Sequence, residues 1–346
     1  MSVMNVRPTS PRSARSARIT TGTIAALAAL GLLSLTACSS ETDGKNSEGK
    51  LKVVASFYPM EFLAKEIGGE HVSVSALTKP GVEPHELELT PKQTASLDEA
   101  GAIIYLKGLQ PGVDKAIKQS NAKHVVDAAS LTELEEHGDE VDGKKHESED
   151  KHAEDKHADK HEDEHEGHEH KHEGGDPHIW LDPVKYAEVA KGVAKTLAEA
   201  DPDHKADFEK NADALAHKLD GLHKKFEAGL KNRASDTFIS THAAFGYLAE
   251  RYGLTEEAVN GLDPESEPSA ARMKELHEVA EKHHVSTIFF ETLADPKTAK
   301  TLASDLGLKT DVLDPLEGIT DKSKGDDYFE VMESNLAALR KALGTK

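Results

Sequence analysis

The sequence predicts an α/β protein with two lobes, each built on a short, mostly parallel four-stranded sheet flanked by helices, and one long helix bridging them. Short apolar runs typical of strands alternate with helical segments between residues 51 and 126, and again between residues 237 and 343. Such alternation indicates parallel sheets with helices on their faces. Between these halves, apolar residues recur every three or four positions over residues 203–231, which predicts a helix about 43 Å long.

Each half supplies four predicted strands. Those of the first half are expected at residues 51–57, 71–77, 102–106 and 124–126, with helices at 58–67, 91–100 and 113–120. Those of the second half are expected at residues 237–240, 258–260, 287–290 and 309–313, with helices at 243–252, 270–283, 297–306 and 326–343. The helix at 182–200 and the long bridging helix both follow an Asp-Pro pair, Asp182-Pro183 and Asp201-Pro202, which is a favourable helix start.

Residues 1–37 are predicted to be a lipoprotein signal peptide. Four arginines between residues 7 and 18 precede an apolar run at 24–35, which is short for a membrane span. The run ends in Leu35-Thr36-Ala37-Cys38, which resembles a bacterial lipobox, and Cys38 is the only cysteine. We therefore expect Cys38 to carry lipid and to anchor the chain to the outer face of the bacterial cell membrane. An uncleaved transmembrane anchor is the alternative, disfavoured by the position of Cys38.

Composition limits the possible functions of the mature chain. Removing the four arginines of the signal peptide would take the formal net charge from −21 to −25, which argues against nucleic acid as a partner. A lone cysteine excludes a disulfide framework. The predicted organisation is a flexible tether at 38–50, an N-terminal lobe at 51–201, the linking helix at 202–231 and a C-terminal lobe at 232–346. We expect a monomer.

Residues 135–175 form a tract rich in histidine and acidic residues, with almost no apolar side chain, and we expect it to be disordered. Neutral imidazoles would capture divalent metal loosely there; the alternative is a solvated linker. The expected weak accessory ligands are His152, His157, His161, His165, His168, His170 and His172. The span from His161 to His165 matches the HExxH metalloprotease pattern. In such a composition the match is expected by chance, and we predict no enzyme activity.

Four isolated residues of ligand type stand outside the tract, namely His85, His178, His242 and Asp314. His85 and His178 each follow a proline, which restricts the backbone. His242 and Asp314 come just after predicted strands, where ligands collect in open α/β sheets. A single histidine is more often a hydrogen-bonded or surface group, but three histidines and a carboxylate spread over two lobes favour a metal site.

Several blocks resemble the zinc-type (ZnuA-like) members of the cluster A-I metal-binding solute-binding proteins of ABC importers. The matching blocks run in order from Val53 to Pro59, Gly81 to His85, Asp176 to Pro183, Ser240 to Tyr247, Glu267 to Ser269, Phe289 to Glu291 and Leu313 to Leu316. The resemblance covers the chain from Leu51 to Leu343.

The resemblance implies that His85, His178 and His242 bind the metal and that Asp314, or water, completes the set. Where some members have a glutamate before the first histidine, this chain has Pro84, which disfavours Glu83 as a ligand and leaves it as a supporting residue. From the residues themselves, Trp180 is expected to pack in the core and fix the ligand loop. Glu291, at a strand end, is expected either to support the site or to be an acid at a helix N-terminus. Three imidazoles and one carboxylate suit Zn²⁺ better than Mn²⁺.

The predicted function is an extracytoplasmic receptor that captures Zn²⁺ between two lobes and delivers it to the membrane permease of an ABC importer. Because the imidazoles must be neutral to bind, affinity should fall as the pH drops through the histidine range. The alternatives are a manganese or iron receptor of an ABC importer, and a surface adhesin or zinc reservoir without a permease.

Overall fold

The computed structural model describes residues 44–138, 140–141, 144–145, 175–266, 268–294 and 296–345. The predicted signal peptide, Cys38 and the seven histidines of the tract that were predicted as accessory ligands lie outside these residues. Within the described ranges, no helix is both long enough and apolar enough to cross a membrane.

The N-terminal sheet is entirely parallel, with strand order β2-β1-β3-β4. Its strands are β1 (Leu51–Ala55), β2 (Val72–Ala76), β3 (Ala102–Tyr105) and β4 (Val125–Asp127). The central strands are almost fully buried because helices cover both faces, which explains why their sequences are nearly continuous apolar runs, interrupted in β1 by Lys52. The surrounding helices are α1 (Tyr58–Gly68), α2 (Pro91–Asp98), α3 (Pro111–Gln119) and α4 (Pro183–Ala200).

A short antiparallel pair of strands, β5 (Glu140–Val141) and β6 (Lys144–Lys145), follows the N-terminal sheet along the chain.

The C-terminal sheet repeats this plan, with parallel strands in the order β10-β9-β7-β8. Its strands are β7 (Thr237–His242), β8 (Thr255–Asn260), β9 (Thr287–Phe290) and β10 (Lys309–Val312). Its helices are α6 (Gly246–Tyr252), α7 (Ala270–Lys282), α8 (Lys297–Leu306) and α9 (Tyr328–Ala342). The predicted fold class, with two parallel four-stranded sheets flanked by helices, is confirmed.

The long predicted helix is α5 (Lys205–Gly229), preceded by a short 3₁₀ turn over Pro202–His204. Its buried face carries Phe208, Ala212, Leu215, Leu219, Leu222 and Phe226, the period read from the sequence. The helix α5 packs against α1 and α4, which contact the N-terminal sheet, and against α9, which contacts β10 of the C-terminal sheet. It therefore contacts helices of both halves, while the domain boundaries given above stay a prediction.

Ordered structure extends beyond the expected limits of two segments. Lys45, placed in the predicted tether, pairs with Leu51, and its Nζ donates to Asp201 at 2.9 Å. His137, placed in the predicted disordered tract, packs against Tyr247 and Glu250 of α6, and its Nδ1 also lies beside the carboxylate of Asp176. Residues 44–50 and 135–138, predicted to belong to a flexible tether and a disordered tract, thus contact the folded part of the chain in this structure.

Candidate metal centre

Four buried side chains converge between the two sheets: His85, His178, His242 and Glu317. Glu317 Oε1 lies 3.1 Å from His85 Nε2, 3.3 Å from His178 Nε2 and 3.5 Å from His242 Nε2. Each of the four residues is at most 6 % exposed. Among the described residues, no other cluster of three or more histidine, cysteine or acidic side chains is arranged to hold an ion.

The three nitrogen–oxygen distances are compatible with a tetrahedral metal ion, and all four ligand atoms lie within 4.8 Å of one another. Zinc bonds of about 2.0–2.1 Å place neighbouring ligand atoms about 3.3–3.4 Å apart, close to the three nitrogen–oxygen separations. Three atoms of the group, His178 Nε2, His242 Nε2 and Glu317 Oε2, are buried without a hydrogen bond. Buried polar atoms normally have hydrogen-bond partners. Three such atoms without a partner therefore suit the binding of a cation as the transported ion.

His85 lies in the loop between β2 and α2, and two residues fix that loop. Glu83 Oε1 accepts a hydrogen bond from the His85 backbone N–H at 3.1 Å. Gln110, at the start of α3, donates from Nε2 to the carbonyl oxygen of Pro84 at 3.0 Å and to Thr78 Oγ1 at 2.9 Å. Glu83 therefore supports the loop from outside the ligand group. Gln110 was missed in the sequence, where no pattern distinguishes a buried amide from a surface one.

His178 follows a buried aspartate that fixes its ring. Asp176 Oδ1 accepts from the His178 backbone N–H at 2.9 Å and from Nδ1 at 2.7 Å. With its proton on Nδ1, the ring directs Nε2 toward the other ligands.

Trp180, two residues beyond His178, links this segment to the loop that carries Glu317. Its ring lies 5.2 Å from the His178 ring, and its Nε1 donates to the carbonyl oxygen of Pro315 at 2.7 Å.

His242 ends β7, and Glu291 directly follows the neighbouring strand β9. Because adjacent parallel strands end at the same edge, their side chains meet there. Glu291 Oε1 accepts from His242 Nδ1 at 2.6 Å and from Thr241 Oγ1 at 2.8 Å. Glu291 thus orients His242 as Asp176 orients His178.

The fourth member of the group is Glu317, whereas the sequence predicted Asp314, or water, at the fourth position. Both carboxylate oxygens of Asp314 are engaged elsewhere, with the Leu316 backbone N–H at 2.9 Å and Thr292 Oγ1 at 3.0 Å. Leu316 adopts a left-handed φ of 60°, which turns the chain so that Glu317 faces the histidines. The sequence feature that could have identified Glu317 was the presence of a second acidic residue three positions after Asp314.

Charge pairing governs protonation in the site. Burial opposes protonation of His178, but Asp176 outweighs it and raises the pKa of His178 to about 9. Burial likewise opposes protonation of His242, yet Glu291 raises the pKa of that imidazole well above its usual range. Burial disfavours the Glu317 anion, whereas the three histidines hold the pKa of its carboxyl well below normal. Zinc binding would therefore displace protons from these imidazoles.

Comparison with known proteins defines the family. The model of the family described as "Zinc-uptake complex component A periplasmic" (ZnuA) matches residues 53–342. The chain belongs to the ZnuA family.

Relatives in this family are similar over most of the chain. The zinc-binding lipoprotein AdcA of Streptococcus pneumoniae is 37 % identical over 312 residues, 88 % of this chain and 58 % of AdcA. The high-affinity zinc uptake system protein ZnuA of Bacillus subtilis is 37 % identical over 321 residues, covering 90 % of this chain and 94 % of its own length. The chain therefore spans just over half the length of the AdcA relatives and nearly the whole of the Bacillus ZnuA.

A solved structure from the family has the same fold. The Zn(II)-bound ZnuA-like domain of Streptococcus pneumoniae AdcA superposes with a TM-score of 0.66 at 34 % identity, covering 85 % of this chain and 99 % of that domain.

Proposed function

We propose that this chain is an extracytoplasmic receptor that binds Zn²⁺ between its two lobes and delivers it to the membrane permease of an ABC importer. The observation that carries the proposal is the buried cluster of three Nε2 atoms within 3.1–3.5 Å of Glu317 Oε1. Three nitrogen donors and one oxygen favour zinc over manganese, which prefers more oxygen ligands. The zinc uptake and zinc binding named for the family and its relatives support the same metal.

The proposed ligands are His85, His178, His242 and Glu317. The description of AdcA of Streptococcus pneumoniae as a lipoprotein supports anchoring through Cys38, whose lipid would hold the receptor beside the permease at the outer face of the membrane. Four buried ligand-type side chains facing one point suit capture and release of an ion rather than catalysis.

Zinc titration of the chain from residue 39 onward, against a chelator of known affinity, tests the ligand set. We expect His85→Ala combined with His178→Ala to abolish tight binding. Glu317→Gln should weaken it by more than the roughly 10- to 100-fold typical of changing an outer partner of a ligand. Asp314→Asn should have the smaller effect, because Asn can still accept from the Leu316 N–H.

His217→Ala, on the exposed face of α5, is the matched control for loss of a histidine. Wild-type affinity in the double variant would refute the site. A larger effect of Asp314→Asn than of Glu317→Gln would return the fourth position to Asp314. Tighter binding of Mn²⁺ than Zn²⁺ would favour a manganese receptor.

A further inference from the structure

His137, near the start of the histidine-rich tract, contacts a residue that orients one of the proposed metal ligands. His137 Nδ1 lies 2.8 Å from Asp176 Oδ2, and Nε2 lies 3.1 Å from Glu250 Oε2. The His137 side chain is only 8 % exposed and meets the Tyr247 ring edge to face, with centroids 4.7 Å apart. His137 is thus a fixed part of the fold and lies outside the ligand group.

Gly246 makes room for this ring at the start of α6. A Cβ at Gly246 would lie 2.5 Å from Cγ of His137 and 2.7 Å from its Nδ1. Real Cβ atoms do not approach so closely, so only glycine allows the imidazole to rest on the α6 backbone.

Asp176 stands between two imidazoles. Its Oδ1 accepts from His178, while its Oδ2 faces His137. Its backbone is fixed as well, because its N–H donates to the Glu135 carbonyl oxygen at 2.8 Å and its carbonyl oxygen accepts from Tyr247 Oη at 2.8 Å. The Glu135 N–H in turn donates to Tyr247 Oη at 2.9 Å, which closes a ring of hydrogen bonds.

We propose that His137 is a positioning residue for the metal centre. It orients the Asp176 carboxylate from the side opposite His178, and so holds the His178 ring with Nε2 toward Glu317 Oε1. The same contacts connect the first residues of the histidine-rich tract, and the helix α6, to the proposed ligand His178 through Asp176. The inference rests on the proposed function in one respect, that His178 binds zinc.

The first test is zinc affinity in the chain from residue 39 onward, with His137→Gln as the variant and His217→Gln as its control. We expect His137→Gln to weaken zinc binding by about 3- to 10-fold, below the roughly 10- to 100-fold expected for Asp176→Asn, because His137 acts one step further from the metal. A double-mutant cycle then tests whether His137 affects zinc binding through Asp176. The effect of His137→Gln should vanish in an Asp176→Asn background.

A second readout needs no metal. In the metal-free protein with ¹⁵N-labelled histidine, the Nδ1–H proton of His178 bonded to Asp176 should shift or broaden in His137→Gln. It should stay unchanged in His217→Gln. Glu250→Ala removes the carboxylate beside His137 Nε2 without touching Asp176, and it should give a smaller shift in the same direction.

Wild-type affinity together with an unchanged His178 signal in His137→Gln would overturn the proposal, as would an effect that adds fully to that of Asp176→Asn. A thermal melt of each variant separates loss of folding from loss of positioning. If His178→Ala alone kept wild-type affinity, the proposed zinc site itself would fail, which is a different result.

Discussion

Each histidine of the metal centre is held by its own carboxylate, while the glutamate of the centre is held by the backbone. Asp176 and Glu291 fix the rings of His178 and His242 through Nδ1, and Glu83 fixes the backbone at His85. Glu317 depends instead on the turn at Leu316. The imidazoles are therefore preorganised for metal, and the turn at residues 314–317 decides where the carboxylate sits.

Glu256 on β8, beside the centre, gives a prediction for stability against pH. It accepts hydrogen bonds from Ser240 Oγ at 2.6 Å and from the Phe245 N–H at 3.0 Å, but burial raises the pKa of its carboxyl to about 7. The folded state therefore holds a proton that the unfolded state has lost between about pH 4.5 and 7. In that window Glu256 lowers the free energy of unfolding as pH rises, by up to about 1.4 kcal/mol per pH unit.

Chemical unfolding of wild type and Glu256→Gln from pH 4 to 9 measures this contribution. The stability of wild type relative to the variant should fall between about pH 4.5 and 7 and stay level above. Other titrating groups cancel in the difference, and Glu281→Gln on the exposed surface of α7 controls for removal of one carboxylate. A difference that is constant or rises with pH would contradict the assignment.

At the scale of elements, periodic segments were predictable and irregular ones were not. The helix α5 and the strands β1, β7 and β9 follow from apolar spacing, because burial of one face or both faces leaves its period in the sequence. The left-handed Leu316, and with it Glu317, leaves no such trace, since tertiary contacts impose that backbone. His137 was hidden for a related reason, because its partners are distant in sequence and its neighbours have the composition of a linker.

Two helical glycines with different surroundings give a matched prediction. A Cβ at Gly221 in α5 would meet nothing within 4 Å, so Gly221→Ala should stabilise the protein by about 0.5–1 kcal/mol and leave zinc affinity unchanged. A Cβ at Gly112 in α3 would lie 2.6 Å from the Leu87 carbonyl oxygen. Gly112→Ala should therefore displace the loop that carries His85 and weaken zinc binding. Denaturant unfolding and zinc titration of both variants measure this contrast, and equal zinc affinities would contradict it.

At the scale of the molecule, the two sheets share one packed interior. The main hydrophobic core contains Val53 and Ile104 from the first sheet, Phe238 and Phe289 from the second, and the buried face of α5. Close-packed interiors resist continuous deformation. Metal exchange is therefore expected to rely on local movement of the loops that carry His85 and Glu317, with α5 and the shared core intact.

The histidine-rich tract and the metal centre should separate as two classes of zinc site. We predict that replacing residues 146–172 with a glycine-serine linker of equal length removes several weak sites and leaves one tight site with unchanged affinity. The tract histidines are surrounded by acidic, lysine and glycine residues with almost no apolar side chain, whereas the four proposed ligands are buried and fixed by neighbours. Isothermal titration together with the zinc content of dialysed protein measures both classes.

The replaced segment is limited to residues 146–172 so that residues 133–138 and 175–178 remain. The contact of His137 with Asp176 is thus preserved. Loss of the tight site in this variant would mean that the tract itself is the receptor. A second replacement that also removes residues 135–138 should weaken the tight site, since it takes His137 away from Asp176. The difference between the two replacements separates metal collection by the tract from positioning by its first histidine.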